Sequence, residues 1–105
     1  MRLVLNKCFG RFGLSELAVL KMANNGCDDL VVDQINRSSC GDVKARSNPF
    51  LIQVVEELGS EKVSGFMSFL IVEEIPQGTK YLIKEYDGYE EVVRYDERVW
   101  SVAWY

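Results

Sequence analysis

No histidine occurs among the 105 residues. Its absence removes imidazole acid–base chemistry, Ser–His and Cys–His nucleophile activation, and histidine-ligated zinc from what one such chain can do. Catalysis would have to rest on a carboxylate pair, a lysine or a lone activated cysteine, which moves the balance toward binding. Cysteine is sparse as well. Cys8, Cys27 and Cys40 make an odd count without a CxxC pair, which suggests neither a disulfide framework nor a zinc site. Three reduced thiols packed as small hydrophobes are expected, with no metal and no cofactor. No apolar run reaches the roughly 18 residues of a membrane span. The opening Met1-Arg2-Leu3-Val4-Leu5-Asn6 stops too early for a secretory signal, so the expected location is cytoplasmic.

Positive charge is in deficit too, with 12 Lys and Arg against 16 Asp and Glu, a formal net charge of -4. A duplex nucleic acid is bound through a basic face that displaces counterions. Duplex DNA or RNA is therefore disfavoured as a partner, while a small phosphate ligand is not. What remains is ordinary for a folded chain: 48% hydrophobic and 27% charged residues argue against disorder. The length suits one domain spanning 1–105, with a real core and no room for two.

Strand Arg2 to Asn6, with its apolar Leu3, Val4 and Leu5, leads into a loop from Lys7 to Gly13. Ser15 is a fitting N-cap for a helix over about 15–25, with Ala18, Val19, Met22 and Ala23 on one arc and Gly26 as its stop. Leu30 to Val32 reads as a short strand. Gln34 to Ser47 reads as a polar surface loop whose Arg37, Lys44 and Arg46 keep it open as a ligand lid. Asn48-Pro49 starts a second helix, lined by Phe50, Leu51, Val54, Val55 and Leu58 and ended by Gly59. Phe66 to Ile75 reads as a central strand. A turn at Pro76–Thr79 joins it to a strand from Lys80 to Tyr86, and Asp87-Gly88 marks a tight hairpin. Tyr89 to Tyr95 is read as the returning strand, with helix the competing assignment, and Arg98 to Trp104 as a last strand or ordered tail. Together these give an α+β domain: one antiparallel or mixed sheet with two helices packed on one face.

The chemistry-bearing residues gather in Asn6-Lys7-Cys8-Phe9-Gly10-Arg11-Phe12-Gly13-Leu14-Ser15. A strand turning through glycines into a capped helix offers backbone N–H groups to a phosphate or carboxylate. Lys7 and Arg11 add charge, and Phe9 and Phe12 offer flat faces for a base. The alternative is structural, with Gly10 and Gly13 making the turn and the phenylalanines plugging the core. The spacing matches neither the Walker loop nor the dinucleotide fingerprint. A second constellation runs Glu85-Tyr86-Asp87-Gly88-Tyr89-Glu90-Glu91, with Arg94, Arg98 and Trp100 beyond it. Its carboxylates could hold a metal or act as an acid–base pair, but a hairpin tip with solvated charges explains the same residues and is the preferred reading. Its tyrosines, with Arg98 and Trp100, suit an interface, and Trp100, Trp104 and Tyr105 read as either a late core plug or a subunit contact.

Asn6-Lys7-Cys8-Phe9-Gly10 with Phe12-Gly13-Leu14-Ser15, Asn48-Pro49 leading into Val54-Val55-Glu56-Glu57-Leu58-Gly59, and Glu85-Tyr86-Asp87-Gly88 with Glu90 resemble a family of small bacteriophage proteins of unassigned activity. The resemblance spans most of the chain, Arg98 and Trp100 included. Family members carry glycine where this chain has Arg11 and a histidine where it has Glu97. Small accessory phage proteins without an enzyme signature often serve host takeover or counter-defence. The resemblance therefore implies a non-enzymatic protein of the host cytosol that binds and sequesters a nucleotide-derived immune signal. Lys7, Arg11 and the Ser15 helix start would hold phosphate, alongside Gly10 and Gly13. Phe9, Phe12, Tyr86 or Tyr89 would stack on the base, with Asp87, Arg98 and Trp100 nearby. A homo-oligomer would line the pocket from two chains. The alternative is a protein–protein inhibitor that occludes a host enzyme through Tyr86, Tyr89, Trp100 and Trp104. An enzyme degrading the signal through Glu85, Asp87 and Glu90 is a third class.

Overall fold

The computed structural model describes residues 1–94. In chain order the elements are β1 (Arg2–Asn6), α1 (Glu16–Asn24), α2 (Asp29–Asn36), α3 (Val43–Arg46), α4 (Pro49–Val63), β2 (Leu70–Glu74), β3 (Tyr81–Tyr86) and β4 (Tyr89–Arg94). The α+β class holds. Within it the described strands form two antiparallel pairs, β1 with β2 and β3 with β4, and four helices surround the first pair where two were expected. The segment from Arg98 onward lies outside the described residues.

β1 carries the core. Leu3, Val4 and Leu5 are all fully buried, so the strand is covered on both faces, as its continuous apolar run requires. It pairs with β2 from Arg2 opposite Glu74 to Asn6 opposite Leu70. Ala18 and Met22 of α1, Val32 and Ile35 of α2, and Leu51, Val54, Val55 and Val63 of α4 close around Val4 and Leu70. Each of the longer helices begins on a side-chain cap: Ser15 accepts from the Ala18 N–H, Asp28 from Leu30, and Asn48 from Phe50. α4 breaks at Gly59 (φ 82°, ψ 162°), where the apolar face ends, and resumes for one short turn.

Three expectations need correcting. Leu30 to Val32 is helix, because the Asp28 cap and the Val32/Ile35 spacing on one face outweigh the β-branched composition. Gln34 to Ser47 is no solvated excursion: it holds the end of α2, a short turn α3 capped by Asp42, and a fully buried Arg46. The strand expected from Phe66 begins at Leu70 instead. A turn closed by the Ser68 N–H on the Gly65 carbonyl (3.2 Å), with Met67 at φ 62°, occupies its first residues. The β3–β4 hairpin pairs Tyr81 with Arg94 through Tyr86 with Tyr89. Asp87 (φ 50°) and Gly88 (φ 89°) make the two-residue turn that the Asp-Gly pair foretold.

Candidate functional site

Arg46 is the pin on which the site is built. Its Nη1 lies 2.5 Å from Glu90 Oε1 and 3.3 Å from the Val4 carbonyl. Nη2 donates to Glu90 Oε2 and to the Ser38 carbonyl, both at 3.0 Å, and Nε to Ser38 Oγ at 2.8 Å. The five guanidinium protons are thus all taken, which is what allows a full charge to sit at 0% exposure. The plane also stacks 3.7 Å from the centre of the Phe12 ring, a buried cation–π contact. Glu90 in turn accepts the Asn6 N–H at 2.9 Å. The Asn6 side chain donates to the Cys8 and Gly88 carbonyls and accepts from Phe69, tying the opening loop, the hairpin turn and the start of β2 to one residue.

Backbone contacts complete the junction. The Gly10 N–H donates to the Asp87 carbonyl at 2.6 Å. A Cβ on Gly88 would lie 2.0 Å from the Gly10 carbonyl oxygen, so the two glycines touch through bare backbone. The loop amides expected to be open to an anion are largely committed. Lys7 donates to Phe69, Arg11 to Met67, Leu14 to Asn36 Oδ1 and Ser15 to Val63. Ser15 Oγ donates to the Lys62 carbonyl while capping α1, and the Gly13 carbonyl accepts from Gly65 and Ser68, so both residues serve the packing of α1 on α4. Phe12 is buried beneath Arg46 and has no open face. Side chains, not free amides, are therefore what this region leaves open to a ligand.

Those side chains fall into two neighbouring cavities. The first, of about 460 Å³, has Arg11 and Arg37 at its rim, Asn36, Ser39 and Cys40 along its walls, and the Arg46–Glu90 pair beneath. Arg11 has no ion-pair partner among the described residues, whereas Arg37 Nε sits 3.2 Å from Asp33 Oδ1 in an exposed pair. The second, of about 410 Å³, is lined by Phe9, Tyr86, Tyr89, Lys84, Glu85 and Glu91. Phe9 stacks on Tyr89 (centroids 5.3 Å apart, 29°) and meets the edge of Tyr86 (6.4 Å, 89°). Lys7 lies 5.1 Å from the centre of Tyr89. Phe9 stays 57% and Tyr86 77% exposed, so their outer faces are open.

Of the residues singled out from sequence, Gly10, Arg11 and Phe12 meet at the first cavity, and Phe9, Tyr86 and Tyr89 at the second, with Lys7 beside them. Asp87 forms the hairpin turn and gives its carbonyl to the Gly10 N–H of the opening loop. Arg98 and Trp100 lie outside the described residues. Asn36, Ser39 and Cys40 were missed as walls of a site; Arg37 was named only within a candidate lid, and Glu90 as a candidate acid and not as the buried partner of Arg46. An acid on the same face of β4 as Val92, which pairs with Ile83 of β3, was the available signal for a buried pair. Among the described residues no group of three or more acids and cysteines is placed to hold a metal ion, and no helix is long and apolar enough to cross a membrane.

Cys40 gives the first cavity a reporter. Burial, then the charges of Glu90 and Glu85, push its thiol above the ordinary cysteine value against the opposing pull of Arg46. A raised value means less thiolate at pH 8, since the proton is held to higher pH. Iodoacetamide should therefore label Cys40 several-fold more slowly than glutathione at pH 8, with the rate still climbing where glutathione has levelled off. Peptide mapping across a pH series measures it. Comparison of the chain with family models, with curated proteins and with solved structures gives no match.

Proposed function

We propose that this chain is a stoichiometric binder that sequesters a small nucleotide-derived anion in the cavity beside Arg11, acting in the cytosol of a phage-infected host as a counter-defence protein. The observation that carries the reading is the delivery of Arg11 to the rim of a 460 Å³ cavity that also presents Arg37 and the Ser39 hydroxyl. Arginine is suited to planar, multidentate contact with phosphate oxygens. Binding without turnover is supported by the state of the buried acid there: Glu90 is consumed by Arg46 and the Asn6 N–H, which leaves Glu85 without a second free carboxylate in the cavity to work with. A second copy of the chain facing the open side would increase enclosure of the ligand.

A thermal-shift panel of cyclic di- and trinucleotides and cyclic ADP-ribose isomers tests this. At a concentration a hundredfold above Kd, a true ligand should raise Tm by about 10 °C or more, and should be recovered intact after denaturation. Arg11→Ala should abolish most of the shift without lowering the Tm of the free protein, because Arg11 is exposed. Absence of a shift across the panel contradicts the reading, and cleaved ligand would make the protein an enzyme.

One observation favours the inhibitor of a host enzyme as a second reading. Phe66 is 91%, Met67 52% and Phe69 41% exposed within four residues, near an exposed Phe9. A host enzyme retained by the wild-type chain and lost with Phe66→Ser, together with a silent ligand panel, would establish it.

A further inference from the structure

Phe9, Gly10 and Arg11 are consecutive, yet they serve different cavities. Phe9 lines the aromatic one, while Gly10 and Arg11 line the arginine one. Between the two stands the Gly10–Gly88 contact, a saddle without side chains. Glu85 borders both cavities. Its Oε2 is fixed by the Gly88 N–H at 2.9 Å, which leaves Oε1 without a partner among the described residues. From this arrangement we propose that the two cavities are halves of one ribonucleotide site. Phosphate sits on the Arg11 and Arg37 side, the base stacks on the open face of Phe9 with the near-perpendicular Tyr86 ring at its edge, and the Glu85 carboxylate accepts hydrogen bonds from the ribose hydroxyls. The inference rests on the sequestration reading and adds to it an orientation, a sugar preference and a specificity residue.

The charges argue for this orientation over the reverse. The aromatic cavity carries Glu85 and Glu91 against Lys84, with Lys7 held at Tyr89, so it has no net attraction for a phosphate. The arginine cavity has its internal pair neutralised and Arg37 already paired with Asp33, so Arg11, unpaired among the described residues, is the cation set against Glu85 there, and the arginines outnumber the acids that line it. A carboxylate held between the two halves would repel phosphate at short range. It would accept from a sugar hydroxyl, which brings a proton and no charge. Phe12 cannot take the base, because Arg46 already covers its ring.

Calorimetric titration of the wild-type chain with AMP, 2′-deoxy-AMP, ribose 5-phosphate and adenosine tests the division. AMP should bind most tightly. Loss of the base, as in ribose 5-phosphate, should weaken binding about 5- to 150-fold, the range of one aromatic stack. Loss of the 2′-hydroxyl should cost about tenfold or more, as expected for a hydrogen bond to a charged acceptor. Phe9→Ala should bring AMP down to the level of ribose 5-phosphate. Glu85→Gln, whose amide oxygen can still accept from Gly88, should shrink the preference of AMP over 2′-deoxy-AMP and leave the base preference intact. Should AMP and ribose 5-phosphate bind equally and Phe9→Ala change nothing, the straddling site is overturned while an anion cavity stands. Should none of the four bind, the straddling site is overturned, while the sequestration reading stands or falls on the cyclic-nucleotide panel.

Discussion

Glu90→Ala should cost the domain about 3–5 kcal/mol, the expected effect of leaving a buried charge without its partner. Arg46 would keep its contacts to Val4 and Ser38, but its charge would sit at 0% exposure beside an empty volume. The Asn6 N–H would lose its acceptor at the same time. Domains of this size are stable by about 5–15 kcal/mol, so a large share of the total is at stake. Urea unfolding followed by far-ultraviolet circular dichroism measures the change. Replacing both members, as Arg46→Met with Glu90→Leu, should cost less than Glu90→Ala alone, because no charge is then stranded. A loss below about 1 kcal/mol for Glu90→Ala would mean that the pair does not hold the hairpin to the core.

Gly88→Ala is the second change with a large expected effect, and Gly78→Ala is its internal control. Both glycines have positive φ, 89° and 81°, so both substitutions incur the left-handed strain of about 1 kcal/mol or somewhat more. They differ in space. Nothing lies within 4 Å of a Cβ at Gly78, whereas at Gly88 it meets the Gly10 carbonyl oxygen at 2.0 Å and the Arg11 nitrogen at 2.8 Å. Gly78→Ala should therefore lower stability by about 1 kcal/mol and leave ligand binding unchanged. Gly88→Ala should lower it by about 3 kcal/mol or more, because the opening loop must be pushed off the hairpin turn. Nucleotide binding should be lost with it, since the saddle between the two cavities opens. Equal costs at the two positions would show that the glycine contact is not a structural junction.

Much of the fold was legible because local chemistry and tertiary packing agree. Ser15 and Asn48-Pro49 start helices, and Asp87-Gly88 makes the hairpin, where short-range rules place them. The α2 segment was misread because Leu30, Val31 and Val32 look like a strand until the cap at Asp28 is weighed. Long-range pairing hid the most. Arg46 and Glu90 are 44 residues apart, and nothing near either one marks it as a buried partner of the other. The candidate site shows the same division. The loop from Lys7 to Arg11 was found from its composition, but its amides were taken as open when Phe69, Met67 and Asp87 already receive three of them. Arg37 and Cys40 became site residues only when Arg46, anchored through Ser38, drew the α2–α3 connection against the opening loop.

Chemical-shift mapping of the isotope-labelled chain with AMP is the most direct measurement on the proposed binding site. The account predicts saturable shifts at Arg11, at the Arg37–Cys40 amides and at Gly88, with ring-proton shifts at Phe9 and Tyr86 and slower alkylation of Cys40 in the bound state. Shifts confined to Phe66, Met67 and Phe69, or none at millimolar AMP, would contradict it.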